Sequence, residues 1–68
     1  MSTLYVTEQG VRVHKKRGRL LVQRGKDVLQ DIPIIKVDRV VLMGRGVSIT
    51  TPALFALTRE SIDVLYLT

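Results

Sequence analysis

The chain has 68 residues, no cysteine and a formal net charge of +5. This length allows one small domain, and the lack of cysteine excludes disulfides and thiolate metal sites. Apolar residues make up 46% of the chain, which is enough for a folded core and too many for a disordered segment. No apolar run approaches the roughly 18 residues of a membrane span, and no secretory signal opens the chain, so we expect a cytoplasmic protein with no membrane partner.

The first residues predict two short strands joined by a tight turn. Residues 3–7 alternate apolar and polar side chains, and Gly10 can take the positive φ that a tight turn needs. In residues 11–14, valines alternate with Arg12 and His14, which indicates a second strand with one apolar and one basic face. Residues 15–18 are expected to form the next turn.

Two further strands follow. Residues 19–24 predict a third strand that directs Leu20 and Val22 inward. Because short glycine-containing turns join the first three strands, we expect them to form an antiparallel meander. A fourth strand, 28–32, should end at Pro33 or be held at a sheet edge by it, because proline cannot donate to a ladder. Three of its side chains are expected on one face: Val28, Gln30 and Ile32.

The second half predicts a central strand, a helix and a last strand. Residues 38–43 indicate a buried strand, which a turn at 44–46 and a short strand follow. Thr51 is expected to cap a helix in which Pro52 takes the first position. Residues 62–67 are apolar on both faces apart from one aspartate, which is typical of a strand covered on both sides in the middle of a domain.

These elements together predict one domain over residues 1–68. It is mainly β with one helix (α+β), with six or seven short, mostly antiparallel strands in a small sandwich-like arrangement and the helix packed on one face.

Basic residues are concentrated in one hairpin. Between positions 12 and 26 there are seven basic residues and no acidic one. A polyanion is the expected partner, and the lack of interleaved aromatic residues predicts that any nucleic-acid contact is to phosphates, with little sequence preference. The alternative is a solvated face that serves only solubility. Six residues are the candidate nucleic-acid contacts: Arg12, Lys15, Lys16, Arg17, Arg19 and Arg24.

No catalytic or metal site is predicted from these residues. His14 is the only histidine and has no carboxylate near it in sequence, and the six acids are scattered. The glycines at 44 and 46 indicate a turn between strands, because the helix starts too far away for a phosphate-binding loop and no Gly-Lys-Ser/Thr follows.

Several stretches in order carry a resemblance to a known family: TLYVTEQG (3–10), GRLLV (18–22), Ile32-Pro33, VVLMG (40–44), VSITTPAL (47–54) and IDVLYL (62–67). Their order resembles the N-terminal β domain of the CRISPR-associated adaptation endonuclease/integrase family called Cas one. The resemblance covers the whole chain, and its most specific part lies between residues 40 and 67.

This resemblance implies a metal-dependent DNA endonuclease and integrase, using Mg or Mn, that inserts spacers in antiviral defence with a small partner protein. In that family a helical domain, expected to be absent from this chain, supplies the metal ligands, so no catalytic or metal-binding residue is carried over. The β domain of the family is associated with homodimer formation and with the surface along the DNA. The exposed apolar strand edges are therefore candidate dimer contacts, and the basic hairpin a candidate DNA-facing patch.

Two other hypotheses stay open at this point. One is an independent nucleic-acid-binding β barrel of the oligonucleotide-binding kind, although stacking aromatics are lacking on its strands. The other is a structural domain whose basic face has no partner.

Overall fold

The computed structural model describes residues 2–67. Within this range there are seven strands, one α-helix and one 3₁₀ turn, so the prediction of a mainly β domain with one helix is confirmed. The strands are β1 Ser2–Val6, β2 Arg12–Lys16, β3 Arg19–Arg24, β4 Asp27–Pro33, β5 Val37–Leu42, β6 Ser48–Ile49 and β7 Asp63–Tyr66. The 3₁₀ turn is Ile34–Lys36 and the helix α1 is Thr51–Arg59.

The strands form two sheets that face each other. In the order β1-β5-β7, three strands build a sheet whose ladders are both parallel, here called the parallel sheet. The other four, in the order β4-β3-β2-β6, build the mixed sheet, in which β2–β3 and β3–β4 are antiparallel and β2–β6 is parallel. The sandwich-like arrangement agrees with the prediction.

The expected meander of the first three strands is wrong, because β1 pairs with β5 and not with β2. The turn after β1 passes the chain from one sheet to the other. Gly10, at a φ of +68°, donates its N–H to the carbonyl oxygen of Arg45 at 2.8 Å, and Met43 donates to the carbonyl oxygen of Val6 at 2.8 Å. The turn is therefore bonded to the β5–β6 turn and does not close a hairpin.

A core of aliphatic side chains fills the space between the sheets. It draws Leu4, Val6, Val40 and Leu42 from the parallel sheet, Val13, Leu20 and Val22 from the mixed sheet, and Ala53, Ala56 and Leu57 from the helix. Within residues 2–67 no polar or charged residue is buried. The predicted inward direction of Leu20 and Val22 is confirmed, since both are fully buried.

The helix begins one residue earlier than expected. Thr50, not Thr51, is the N-cap, and its Oγ1 accepts a hydrogen bond from the N–H of Ala53 at 3.3 Å. Thr51 is instead the first helical residue, since an N-cap oxygen must reach an amide two or three residues ahead. Pro52 remains in the first turn, where its missing N–H costs nothing.

The helix ends without the glycine that usually marks this position. Ser61 takes a φ of +58° and donates its N–H to the carbonyl oxygen of Thr58, while Ile62 donates to that of Leu57. This pair of bonds is a Schellman motif, which satisfies the last helical carbonyl groups and turns the chain into β7.

Two expectations about buried faces are wrong. β5 is central in the parallel sheet, as expected, but β7 lies at its edge, and Leu65 and Leu67 are exposed instead of covered. In β4, Gln30 and Ile32 pair with inward residues of β3 as predicted, yet Val28 pairs with Gln23 on the opposite face. A bulge at this point adds one residue to β4 and reverses the direction of Val28.

The identity of the cap predicts different effects for two adjacent threonines. Thr50→Ala should lower the free energy of unfolding by about 1 kcal/mol, because it removes the side-chain acceptor of the Ala53 amide. Thr51→Ala should change it by less than about half of that, since alanine is a good helix former at an exposed helical position. Urea denaturation of both variants checks this, and a larger loss for Thr51→Ala would contradict the assignment.

The contact between the two turns predicts a strong effect at Gly44. A Cβ at Gly44 would overlap the carbonyl oxygen of Glu8 and lie 2.8 Å from a methyl group of Val47. Gly44→Ala should therefore cost about 1–3 kcal/mol in the free energy of unfolding, because backbone must move. Gly18→Ala is the matched control, since no atom lies within 4 Å of its added Cβ and its φ is not positive. Equal stability of the two variants would show that the turns are not in contact.

Candidate nucleic-acid interface

The outer face of the mixed sheet carries three of the six predicted DNA contacts. The register pairs Lys16 with Arg19 and Arg12 with Gln23, and alternation along β2 places Arg12, His14 and Lys16 on the side opposite to the buried Val13. We call this surface the basic face, made of Arg12, His14, Lys16, Arg19, Leu21 and Gln23. The antiparallel pairing of β2 with β3 is what brings these side chains together.

One of these charges is partly neutralised by a carboxylate. Arg19 Nε donates to Asp31 Oδ1 at 2.6 Å, and both side chains are about half exposed. Such a surface pair adds at most about 1 kcal/mol to stability, and Arg19 keeps part of its positive field. Asp31 lies on β4, next to β3. Its pairing with Arg19 was not recognised from the sequence, because the two residues are twelve positions apart in the chain.

A shallow depression of about 360 Å³ lies at the hairpin end of the basic face. Its lining residues are Lys16, Arg17, Arg19, Leu21 and Asp31. The turn is tighter than expected, since Lys15 and Lys16 still belong to β2 and Arg17 takes a φ of +58° between the strands. Three cations around an open depression can bind a phosphate group without contacting a neighbouring base.

The remaining two candidates lie away from this face. Lys15 alternates to the other side of β2 and borders the helix, beside Pro52 and Phe55. Arg24 lies at the opposite end of β3, where its Nη1 donates to the carbonyl oxygen of Gln9 at 3.5 Å. The six predicted residues therefore do not form one patch.

His14 lies on the basic face in a fixed orientation. Its Nε2 is 2.7 Å from Oε1 of Gln23, whose Nε2 in turn donates to the carbonyl oxygen of Gly25 at 2.9 Å. Since the Gln23 oxygen can only accept, His14 Nε2 is the donor in this hydrogen bond. Gln23 was not recognised in the sequence, and only the strand register could have identified it.

The outer face of the parallel sheet is apolar at the carboxyl ends of its strands and polar at the other end, where Thr3, Arg39 and Asp63 form a row. Tyr5, Val41 and Leu65 form one row across the three strands, and Met43 and Leu67 follow in alternation. Val41, on the central strand, is only 6% exposed, while Tyr5 and Leu65 on the outer strands are 57% and 43% exposed. We call these five residues the apolar face. It lies on the opposite side of the core from the basic face.

The residues in the described range do not fit a divalent metal ion. Within residues 2–67 no three histidine, cysteine or acidic side chains lie close enough together to hold one. A hard divalent cation needs several oxygen ligands from one site, which these scattered carboxylates do not provide.

Within residues 2–67, no helix has the length and apolar content needed to cross a membrane.

Comparison with known proteins identifies the family. The family model for CRISPR associated protein Cas1 matches residues 4–68. A curated relative from Pyrobaculum aerophilum, named CRISPR-associated endonuclease Cas1 2, is 39% identical over 56 residues, which are 82% of this chain and 19% of that protein. The chain thus spans about a fifth of the length of this relative.

Solved structures share the fold at low sequence identity. A Cas1 protein from Thermotoga maritima superposes with a TM-score of 0.79 at 17% identity, covering 96% of this chain and 21% of that one. A casposase bound to integration product gives 0.74 at 21% identity, covering 100% and 21%. The partial Cas6-RT-Cas1–Cas2 complex gives 0.74 at 20% identity, covering 82% and 17%.

The family match extends over nearly the whole chain, and the matching fifth of the Thermotoga maritima structure shares its fold. On these grounds the chain belongs to the CRISPR-associated Cas1 family.

Proposed function

We propose that this chain is the dimerisation and DNA-orienting β domain of a CRISPR adaptation integrase. The observation that carries the proposal is the position of two chemically different sheet faces on opposite sides of one core. A molecule built this way can pair with a second copy through one face and hold a polyanion on the other.

The apolar face supports dimerisation. Large apolar side chains in a row on a sheet are rarely left in water by a small monomer, and a chain this short buries only roughly 60% of its unfolded surface. β7 is also open to pairing along its outer edge, because among residues 2–67 its strand partner is β5 alone. On the other edge of the sheet, the carbonyl oxygen of Tyr5 already accepts from Gln30 Nε2 at 3.3 Å. A two-fold contact at the β7 side would cover both the face and the edge.

The basic face supports contact with DNA phosphates. From Arg12 to Lys16 the strand rises by roughly 13 Å, which is close to the roughly 12 Å width of the major groove. Charges at the two ends of β2 can therefore reach phosphates on both sides of one groove. No aromatic side chain lies on this face, so we expect binding without sequence preference.

We further propose that the family's metal-dependent chemistry, with Mg or Mn, belongs to a helical domain outside this chain. The metal-ligand geometry absent from residues 2–67 would be supplied there. The curated relative is named an endonuclease, and the related structures include a complex with Cas2 and a casposase bound to integration product. These names support DNA and a small Cas partner protein as partners of the longer protein. They do not favour an independent nucleic-acid-binding barrel.

The dimer proposal predicts that a charged substitution on the apolar face lowers the sedimenting mass of the protein. Wild-type chain should sediment as a dimer at high micromolar concentration, and Leu65→Glu as a monomer. A carboxylate buried without a partner costs about 3 kcal/mol or more, which raises the dissociation constant more than about a hundredfold. Sedimentation equilibrium over a concentration series measures this.

Ile35→Glu is the matched control, since Ile35 is an equally large and more exposed side chain outside the apolar face. It should leave the dimer intact. A wild-type monomer, or equal dissociation of both variants, would refute the dimer proposal. Circular dichroism confirms that each variant is folded.

The DNA proposal predicts that removing charged side chains from the basic face weakens the dependence of DNA affinity on salt concentration. The double variant Arg12→Ala with Lys16→Ala should bind duplex DNA more weakly. Its slope of log affinity against log salt should fall by about 1.8, since each lost phosphate contact removes about 0.9. Fluorescence anisotropy with a labelled duplex at several salt concentrations measures both quantities.

Lys26→Ala with Lys36→Ala removes the same charge from exposed positions outside both the basic face and the apolar face. It should keep the slope of the wild type. If the two double variants lose affinity and slope equally, the net charge of the chain is responsible and the basic face is not a DNA site.

A further inference from the structure

A third surface of the chain adjoins the basic face and shares Arg17 with the depression there. It lies between the 3₁₀ turn, the end of β2 and the outer side of α1, and consists of two adjoining depressions of about 440 and 170 Å³ that share Lys15, Ala56 and Arg59. We call it the helix cleft, and its further lining residues include Arg17, Ile35, Pro52, Phe55 and Glu60.

The cleft combines apolar walls with a basic rim. Ile35 is 83% exposed and Phe55 63% exposed, while Ile34 and Ala56 beneath them are buried. The rim carries three cations, Lys15, Arg17 and Arg59, and a single acid, Glu60. Within residues 2–67 none of these cations has a carboxylate oxygen within 4 Å, so all three are available to an incoming anion.

We propose that the helix cleft binds an acidic amphipathic segment of a partner protein. Apolar side chains of that segment would lie against Ile35 and Phe55, and its carboxylates would meet Lys15, Arg17 and Arg59. The positive charge of the rim favours a negatively charged partner. Removing the aliphatic part of the cleft from water is favourable only when apolar groups cover it.

A protein segment fits these features better than single-stranded nucleic acid. Binding of unpaired bases relies on successive aromatic platforms, and the cleft offers only Phe55. Ile35, Ala56 and Pro52 provide no stacking surface for a second base. An amphipathic segment in a groove beside a helix, by contrast, uses a few apolar anchors flanked by charges.

The test uses a designed peptide as probe, with leucines on one helical face and glutamates on the other. A scrambled peptide of the same composition and a single-stranded oligonucleotide are the comparison ligands. Titration with the amphipathic peptide should change the amide chemical shifts of the ¹⁵N-labelled chain at Ile35, Phe55 and Arg59. The dissociation constant should rise at least about tenfold in Phe55→Ala and in Arg59→Gln, as expected for an anchor residue and a rim charge.

Leu54→Ala is the matched control, because Leu54 lies on the same helix, is partly exposed and does not line the cleft. It should bind the peptide as the wild type does. The proposal is overturned if the peptide does not bind, if the scrambled peptide binds equally well, or if its shifts lie on the basic face. It is also overturned if the oligonucleotide displaces the peptide from the cleft. Because no step involves DNA on the basic face or a dimer, failure here leaves the proposed function untouched.

Discussion

The structure depends on the contact between the β1–β2 turn and the β5–β6 turn. Gly44 approaches the backbone of Glu8 so closely that no side chain fits between them, and Gly10 donates to the carbonyl oxygen of Arg45. This contact places β1 beside β5 and passes the following chain to the opposite sheet. The next three strands can then form a ladder of their own, with the core enclosed between the two sheets. The two outer faces point in opposite directions as a direct result.

The division into two sheets explains why one chain can carry two unlike surfaces. Both sheets use alternation, so every strand that buries one side chain presents the next to solvent. In the mixed sheet most outward positions are basic or polar, although Leu21 and Val28 are among them. In the parallel sheet the polar row Thr3, Arg39 and Asp63 precedes the apolar row Tyr5, Val41 and Leu65. Within residues 2–67 the ion pair between Arg19 and Asp31 is the one salt bridge, so the charge of the basic face is only slightly reduced. The helix packs against β2 and β7, contributes Ala53, Ala56 and Leu57 to the core, and leaves its own outer side as a third surface.

Local features of this fold could be predicted from the sequence, and pairings between distant residues could not. The alternation of Leu20 and Val22, the end of β4 at Pro33 and the position of the helix follow from neighbouring residues. The partner of β1 does not, because a glycine turn can close a hairpin or carry the chain elsewhere with the same local pattern. For the same reason the six candidate basic residues were predicted as a single patch, although strand alternation separates Lys15 from Lys16. The Ser61 turn and the bulge beside Val28 also lack a distinctive local signal, since neither contains glycine.

The central claim is that self-association and DNA binding occur on opposite faces of one small domain. Amide chemical shifts of the labelled chain, recorded along a concentration series and then during titration with a short duplex, test it most directly. The account predicts that concentration-dependent shifts occur at residues 5, 41–43 and 65–67, and DNA-dependent shifts at residues 12–21. Two sets of shifts that fall on the same residues, or concentration-dependent shifts confined to β2 and β3, would contradict it.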